Sequence, residues 1–182
     1  MTACALSDAL HQKGLSSREL MQATLDQIDR LNPSCNAVVS LQDREGLLAQ
    51  AAARDAQLAR GESMGWLHGM PIAVKDLANV AGIPTTLGSP LMKNFVPQED
   101  AVMVARMKAA GAIVIGKTNT PEFGLGSHSF NEVFGATGNA YDASKTAGGS
   151  SGGAAVALAL PFWFEVVVSA ASAETTLRAG NT

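Results

Sequence analysis

Two serines and four glycines stand together at positions 148–153, in the order Gly-Gly-Ser-Ser-Gly-Gly, and this run restricts the fold more than any other feature of the chain. Glycine takes backbone angles that other residues avoid, so the run bends sharply and lets other groups approach its backbone. An apolar segment, residues 154–160, follows directly and is suited to a buried helix. A flexible linker would not lead into such a helix. We therefore expect a fixed loop whose backbone N–H groups form a cradle for an anion or an oxyanion.

Several segments before this loop have the pattern of helices, with recognisable start and stop signals. The predicted helices are one that starts at a capping box in residues 16–19 and stops at the Asn-Pro-Ser segment 32–34, one over 44–60 closed by Gly61, one over 100–110 stopped by Gly111, and a short one that Pro121 begins.

Short apolar segments between these helices are typical of buried strands. They are residues 37–41, 72–74 and 113–115. The last two flank the predicted helix over 100–110, which gives the order strand, helix, strand. That order favours an α/β fold with an open sheet and helices packed against it.

Composition limits the kinds of partner. The chain has 182 residues, 47% of them hydrophobic, which is enough for one core, and its formal net charge of −3 provides no basic face for nucleic acid. No apolar run approaches the roughly 18 residues of a membrane span, so no membrane partner is expected. Cys4 and Cys35 show no redox or metal-binding spacing and no secretory leader precedes them, which predicts a cytoplasmic protein.

Lys75 follows three apolar residues at the carboxyl end of a predicted strand, where open α/β sheets place their ligands. Burial there would lower the pKa of the amine and let it act as a base. The position of Lys75 fits a purely structural role equally well, in which its side chain extends to solvent or pairs with Asp76. Lys117 follows a second apolar strand in the same way, so the pattern by itself does not separate the two lysines.

Other catalytic and nucleotide-binding patterns are absent. A phosphate loop needs a glycine where Ser144 precedes Lys145, and no Ser-x-x-Lys motif occurs. No histidine accompanies a recognisable serine or cysteine motif, and no spacing of metal ligands appears. We therefore expect neither a metal nor another cofactor.

Two segments together resemble the amidase signature family of serine hydrolases: Gly-Met-Pro-Ile-Ala-Val-Lys-Asp at 69–76 and the glycine-serine run at 148–153. The resemblance extends from about residue 6 to residue 160 and is densest in 69–76, 111–126 and 138–153. It implies an α/β fold with a partial, open mixed sheet flanked by helices, the N-terminal part of the amidase signature fold.

This resemblance also implies a reaction, the hydrolysis of carbon–nitrogen bonds in small carboxamides. In the family, a neutral lysine takes a proton from a middle serine that follows a cis peptide bond, and that serine takes one from the nucleophilic serine. These roles correspond here to Lys75 as base and Ser150 as relay, while Lys117 corresponds to a scaffold position. Residues expected to support the site or bind substrate are Ser151, Gly148, Gly149 and Asp76, and Asn119, Glu122 and Phe123 are further candidates for its lining.

The nucleophile is the part of the pattern that the sequence lacks. The family places it in a Gly-Gly-Ser-hydrophobic-Arg-x-Pro segment, and at that spacing this chain has Glu174. Composition changes abruptly at Pro161, so we expect an amidase-like part over 1–160 and a divergent tail over 161–182. The change favours a truncation or a shifted reading frame, and the alternative is a natural fragment whose tail covers the exposed sheet. A chain of this kind is expected to be catalytically incomplete and to self-associate through an exposed sheet edge.

Three other functions remain open from the sequence. The same motifs occur in amidotransferase A-type subunits, which release ammonia from glutamine for a partner enzyme. A non-catalytic fragment would keep the glycine-serine loop as an anion cradle or an interaction site, and a small-nucleotide binder is the weakest alternative.

Overall fold

Helices make up much of this computed structural model, which describes residues 1–160. The α-helices are α1 (Ala3–His11), α2 (Ser17–Cys35), α3 (Arg44–Ala59), α4 (Val102–Ala109) and α5 (Gly152–Ala159), and short 3-10 turns occupy Pro90–Met92 and Glu122–Gly124. The predicted capping box is present at the start of α2, where the Ser16 hydroxyl accepts from the Glu19 N–H and the Glu19 carboxylate accepts from the Ser16 N–H.

The main sheet has the strand order β1-β3-β2, with β1 at Val38–Val39, β2 at Pro71–Lys75 and β3 at Ile113–Thr118. β2 and β3 are parallel and are joined through α4, which confirms the predicted strand–helix–strand unit. β1 is antiparallel to β3, so the sheet is mixed. A separate two-stranded ribbon pairs β4 (Phe130–Asn131) with β5 (Gly135–Ala136).

The sheet separates two hydrophobic clusters. Ile113 and Ile115 of β3 pack in one cluster with residues of α2, α3 and α5, whereas Val114 packs in the other with residues of α1 and α4. Alternate residues of a strand face opposite sides, which is why neighbouring positions of β3 belong to different clusters. Helices therefore cover both sides of β3, as expected for an α/β fold.

Helix α2 departs from the prediction at its carboxyl end. The Asn-Pro-Ser segment does not stop it, and Pro33 lies inside the helix. Pro33 removes one backbone donor, but the chain stays helical until Asn36, which takes a left-handed conformation with φ of 50° and donates its N–H to the Asn32 carbonyl. Asn32 also holds the exit of the helix, because its side-chain oxygen accepts from the N–H groups of Ala37 and Val38.

Three further boundaries differ from expectation. The strand expected over 37–41 is reduced to two residues, and the strand expected over 113–115 continues through polar residues to Thr118 because both of its edges are paired. Pro121 begins only a single 3-10 turn, in which Phe123 has a positive φ of 50°. α1 had no counterpart among the predicted elements, and the Thr2 hydroxyl caps it by accepting from the Ala5 N–H.

None of the helices found in residues 1–160 is long and apolar enough to cross a membrane. The predicted tail over 161–182, which includes Glu174, lies outside the described residues.

Candidate active site

Lys75 and the two serines of the glycine-serine loop come together, although Ser150 follows Lys75 by 75 positions in the chain. The Lys75 Nζ lies 2.8 Å from the Ser150 Oγ and 2.9 Å from the Ser151 Oγ. Lys75 is the last residue of β2, and both serines stand just before α5, so a strand end and a helix start face each other here. The arrangement links one amine to two hydroxyls.

Burial sets the charge of this amine. Desolvation lowers the pKa of Lys75, and its two hydrogen-bond partners are neutral hydroxyls. Lowering the pKa increases the fraction of neutral amine at a given pH, and a neutral amine has a lone pair that can accept a proton. The site can therefore provide a base in contact with a hydroxyl.

Residues from two other loops hold the serine loop in place. The peptide bond between Gly149 and Ser150 is cis. The Thr120 hydroxyl donates to the Ser150 carbonyl at 3.1 Å. The Ser129 hydroxyl accepts from the Gly152 N–H at 2.8 Å and donates to the Gly148 carbonyl at 3.3 Å, so one side chain spans both ends of the loop.

The glycines of this loop are needed for close packing against the protein's own backbone. A Cβ on Gly149 would lie 2.9 Å from the His128 nitrogen, and one on Gly153 would lie 2.4 Å from the Asn119 nitrogen. A Cβ on Gly152 would lie 2.5 Å from the Ser129 Oγ. At these three positions, the space that glycine leaves is already filled by neighbouring chain segments.

Asp76 follows Lys75 in sequence but does not pair with it. Its buried carboxylate accepts from the Thr86 hydroxyl at 2.6 Å and lies 3.8 Å from the Lys117 Nζ. Burial raises the pKa of Asp76, and hydrogen bonds from Thr86 oppose this effect. Asp76 thus fixes the loop that contains Thr86 against the carboxyl end of the sheet.

Lys117 lies inside β3, with its Cα opposite that of Val74 in the register, and its side chain is 0% exposed. Its Nζ donates to the Ala78 carbonyl and faces the Asp76 carboxylate. Burial lowers the pKa of Lys117 to about 8, while the charge of Asp76 acts in the opposite direction. The two lysines that were equivalent in sequence therefore have different surroundings: hydroxyls for Lys75 and a carboxylate for Lys117.

The other candidate lining residues hold loops together. The Asn119 amide donates to Thr137 and accepts from Asn131, and Glu122 accepts from the Ser89 hydroxyl at 2.6 Å. Phe123 is 45% exposed.

Thr86, Thr120, Ser129 and Asn131 are the polar residues around the site that sequence reasoning missed. Thr86, Thr120 and Ser129 lie in loops and Asn131 ends the short strand β4, and nothing in the sequence indicates which distant segment each of them contacts. The structure shows no group of three His, Cys, Asp or Glu residues within 1–160 that could hold a metal ion.

Comparisons with known proteins agree on one family. A model of the family described as Amidase matches residues 19–164. The A-type subunit of the glutamyl-tRNA(Gln) amidotransferase of Streptomyces avermitilis is 40% identical over 159 residues, which cover 87% of this chain and 32% of that protein.

Solved structures give the same result. The native peptide amidase of Stenotrophomonas maltophilia superposes with a TM-score of 0.78 at 36% identity, over 86% of this chain and 33% of that one. A 6-aminohexanoate cyclic dimer hydrolase superposes with a TM-score of 0.78 at 31% identity, over 89% of this chain and 32% of that one. The chain spans about a third of the length of the curated relatives it matches.

Proposed function

Because this chain belongs to the amidase signature family, we propose that it carries the lysine–serine part of a hydrolase that cleaves carbon–nitrogen bonds in carboxamides. The observation that carries the proposal is the contact of 2.8 Å between the Lys75 Nζ and the Ser150 Oγ. An amine whose pKa is lowered by burial and that touches a hydroxyl has the two properties that a base needs, a neutral form and a proton within reach.

The proposed proton path begins at a nucleophilic serine, for which residues 161–182 have no matching segment and which the added portion supplies in the chimera below. Ser150 takes the proton of that serine while Lys75 takes the proton of Ser150. The nucleophile attacks the amide carbonyl, and the returning proton allows the amine to leave. Water then releases the acyl group by the same path. Ser151 supports the lysine through its own hydrogen bond, and Gly148 and Gly149 shape the loop.

Several relatives support a carboxamide as the substrate class. A peptide amidase shares the fold of this chain and is named for acting on amides, and a cyclic dimer hydrolase that shares the fold is named for a hydrolysis. We propose that the substrate is a small-molecule amide, and the panel of amides in the assay below identifies its acyl group.

A chimera provides the test. Residues 1–160 of this chain would be joined to the portion of the Stenotrophomonas peptide amidase that follows its matching segment, and ammonia release from a panel of primary amides would be measured. We expect turnover by the chimera and its loss by at least about 100-fold in Lys75→Met and Ser150→Ala variants, the low end of what general base catalysis contributes. Ser144→Ala is the matched control, because the Ser144 hydroxyl donates to Asp142 on the surface, away from Lys75.

Two outcomes would contradict the proposal. One is a Lys75→Met or Ser150→Ala chimera that retains the turnover of its parent. The other is a chimera that melts cooperatively but releases no ammonia from any amide. The 182-residue chain without the added portion is expected to show no amide turnover in the same assay.

A second candidate function is the A-type subunit of a glutamine-dependent amidotransferase, which the identity to the Streptomyces avermitilis protein favours. It uses the same lysine and serine but takes glutamine as the ammonia source. Replacing the matching segment of that protein with residues 1–160 and assaying glutamine with its partner subunits present would separate the two. Ammonia release from glutamine alone among the amides, and only with the partners, supports this second function.

We also propose a cytoplasmic location. Cys4 and Cys35 are both free, one exposed and one buried. A thiol count on protein extracted from its native cells without reductant should find both cysteines reactive after unfolding, and a disulfide between them would contradict the proposal.

A further inference from the structure

Ser150 and Ser151 contact the same amine but differ in accessibility. Ser151 is buried, with 3% of its surface exposed, whereas Ser150 is only partly buried. Ser150 is therefore the more accessible of the two serines to a reagent that enters from solvent. That hydroxyl lies 2.8 Å from a lysine Nζ.

A serine and a lysine in contact are a sufficient pair for acyl transfer. The serine hydroxyl is a weak nucleophile until a base removes its proton, and a neutral amine at hydrogen-bond distance can do so. Burial lowers the pKa of Lys75 and so favours that neutral form. The residues that hold Ser150, among them Thr120 and Ser129, bind its loop through the backbone and leave the Lys75–Ser150 contact intact.

We propose that this chain has an activity of its own, in which Ser150 is the nucleophile and Lys75 the base for acyl transfer from activated esters. This goes beyond the proposed amide hydrolysis, where Ser150 only relays a proton, and it requires no residue beyond the described ones. Amides are poor substrates for such a pair because their amine must be protonated to leave. A phenolate leaves without that help.

Each step balances. The Ser150 Oγ attacks the ester carbonyl and its proton passes to the Lys75 Nζ. The bond between the carbonyl carbon and the phenol oxygen breaks, and the departing phenolate takes the proton from Lys75, which is then neutral again. Water then attacks the acyl-serine with Lys75 again as base, which releases the carboxylic acid and restores both side chains. The sum is one ester and one water converted to one acid and one phenol.

The experiment uses the full 182-residue chain and p-nitrophenyl acetate. We expect a burst of nitrophenol of one equivalent per chain, one added acetyl group in the intact mass, and fragment ions that place it on Ser150. Ser150→Ala should remove the burst. Lys75→Arg should slow the burst by at least about 100-fold, because an arginine keeps the positive charge and the donors but does not lose a proton.

Further variants separate catalysis from folding. Ser150→Cys should restore labelling at position 150, since a thiol in the same place also attacks the ester, and circular dichroism should show each variant folded. Ser144→Ala, a surface serine, should label like the parent. The burst rate should rise with pH and level off below 10.5, the ordinary pKa of lysine, because the base must be neutral.

Three results would overturn the proposal: acetyl on Lys75 as an amide, acetyl on Ser151, or labelling of the parent no faster than that of the Ser150→Ala variant. None of them bears on the relay role of Ser150, which the chimera tests with amides. An active chimera made from a chain that does not label would retain the proposed function and reject this one.

Discussion

Lys117 and Asp76 carry opposite charges in the interior of the molecule, where an isolated charge is costly. Both side chains are almost fully buried, and their charged atoms lie 3.8 Å apart. The Lys117 Nζ also donates to the Ala78 carbonyl, and Asp76 accepts from Thr86. These contacts join β3 to the loops that follow β2, close to Lys75 in the chain.

Removing one member of this pair should be strongly destabilising. We expect Lys117→Met to lower the free energy of unfolding by about 3–5 kcal/mol, because the Asp76 carboxylate would remain buried without its partner. Urea denaturation of the two proteins measures the difference.

A surface ion pair provides the matched control for that variant. Lys108 lies 2.7 Å from Asp100, but 34% of the lysine side chain is exposed. Lys108→Met should cost less than about 1 kcal/mol. Equal losses in the free energy of unfolding would show that burial of the Lys117–Asp76 pair does not increase the cost of breaking it.

At the scale of elements, α5 begins where three segments of the chain meet. The Gly153 N–H donates to the Asn119 carbonyl, and the Asn119 N–H donates to the Ala37 carbonyl. Helix α5 thus starts against the residues that precede β1 and follow β3. The position of Ser150 and Ser151 at the start of this helix depends on that close approach.

A methyl group at this junction should separate the segments. In Gly153→Ala, the new Cβ would lie 2.4 Å from the Asn119 nitrogen and 2.7 Å from the Ala37 oxygen, both of them backbone atoms. We expect a loss of about 1–3 kcal/mol in the free energy of unfolding, as for other overpacked sites. Gly14→Ala is the control, since its nearest neighbour would be 3.8 Å away, and thermal melts of both variants should differ accordingly. A melting temperature of Gly153→Ala equal to that of the parent would contradict the requirement for glycine at position 153.

Sequence patterns predicted the elements whose signals are local. The capping box before α2, Gly61 after α3 and the apolar segment of β2 all act within a few residues, and each is present. The signals failed where distant contacts decide the outcome. Pro33 stays within α2 because hydrogen bonds of the Asn36 N–H and the Asn32 side chain close the carboxyl end of that helix. β3 extends through Lys117 because strands pair with it on both sides.

The candidate site was predicted to a similar degree. The motifs led us to expect Lys75 near the serine loop, and the structure places its Nζ 2.8 Å from the Ser150 Oγ. Ser129 and Thr120, which hold that loop, come from segments with no pattern of their own.

At the scale of the whole molecule, stability should depend on pH through the buried lysines. Lys117 has a pKa of about 8 when folded and 10.5 ordinarily, so above pH 8 the unfolded chain binds more protons than the folded one. Stability then rises with pH. Burial lowers the pKa of Lys75 and acts in the same direction, while burial raises the pKa of Cys35 and acts against it above its ordinary value of 9.0.

The informative range is therefore pH 8 to 9, below the ordinary pKa of Cys35. Urea midpoints should increase across this range in the parent and increase less in a double variant, Asp76→Asn with Lys117→Met, which lacks both charges. Midpoints that fall with pH in the parent would show that Lys117 does not titrate in the folded state with a lowered pKa.

The outer edge of β2 leads to a prediction about association. Within residues 1–160, β2 pairs with β3 on one side only, and unpaired strand edges recruit other chains. Large apolar side chains such as Leu91 and Leu125 are also more than 80% exposed. Sedimentation velocity should show larger species as the concentration of the 182-residue chain rises. A single monomeric species at every concentration would contradict this.

The central strand β3 has a neighbour on each side and all six of its residues are buried. Its backbone amides can therefore meet deuterated water only when the whole structure opens, so they should be the last in the molecule to exchange. Their exchange rates would report the global stability of the chain under native conditions, without denaturant and without any substrate. The free energies of unfolding of the Lys117, Lys108 and Gly153 variants could all be compared through the exchange rates of the β3 amides.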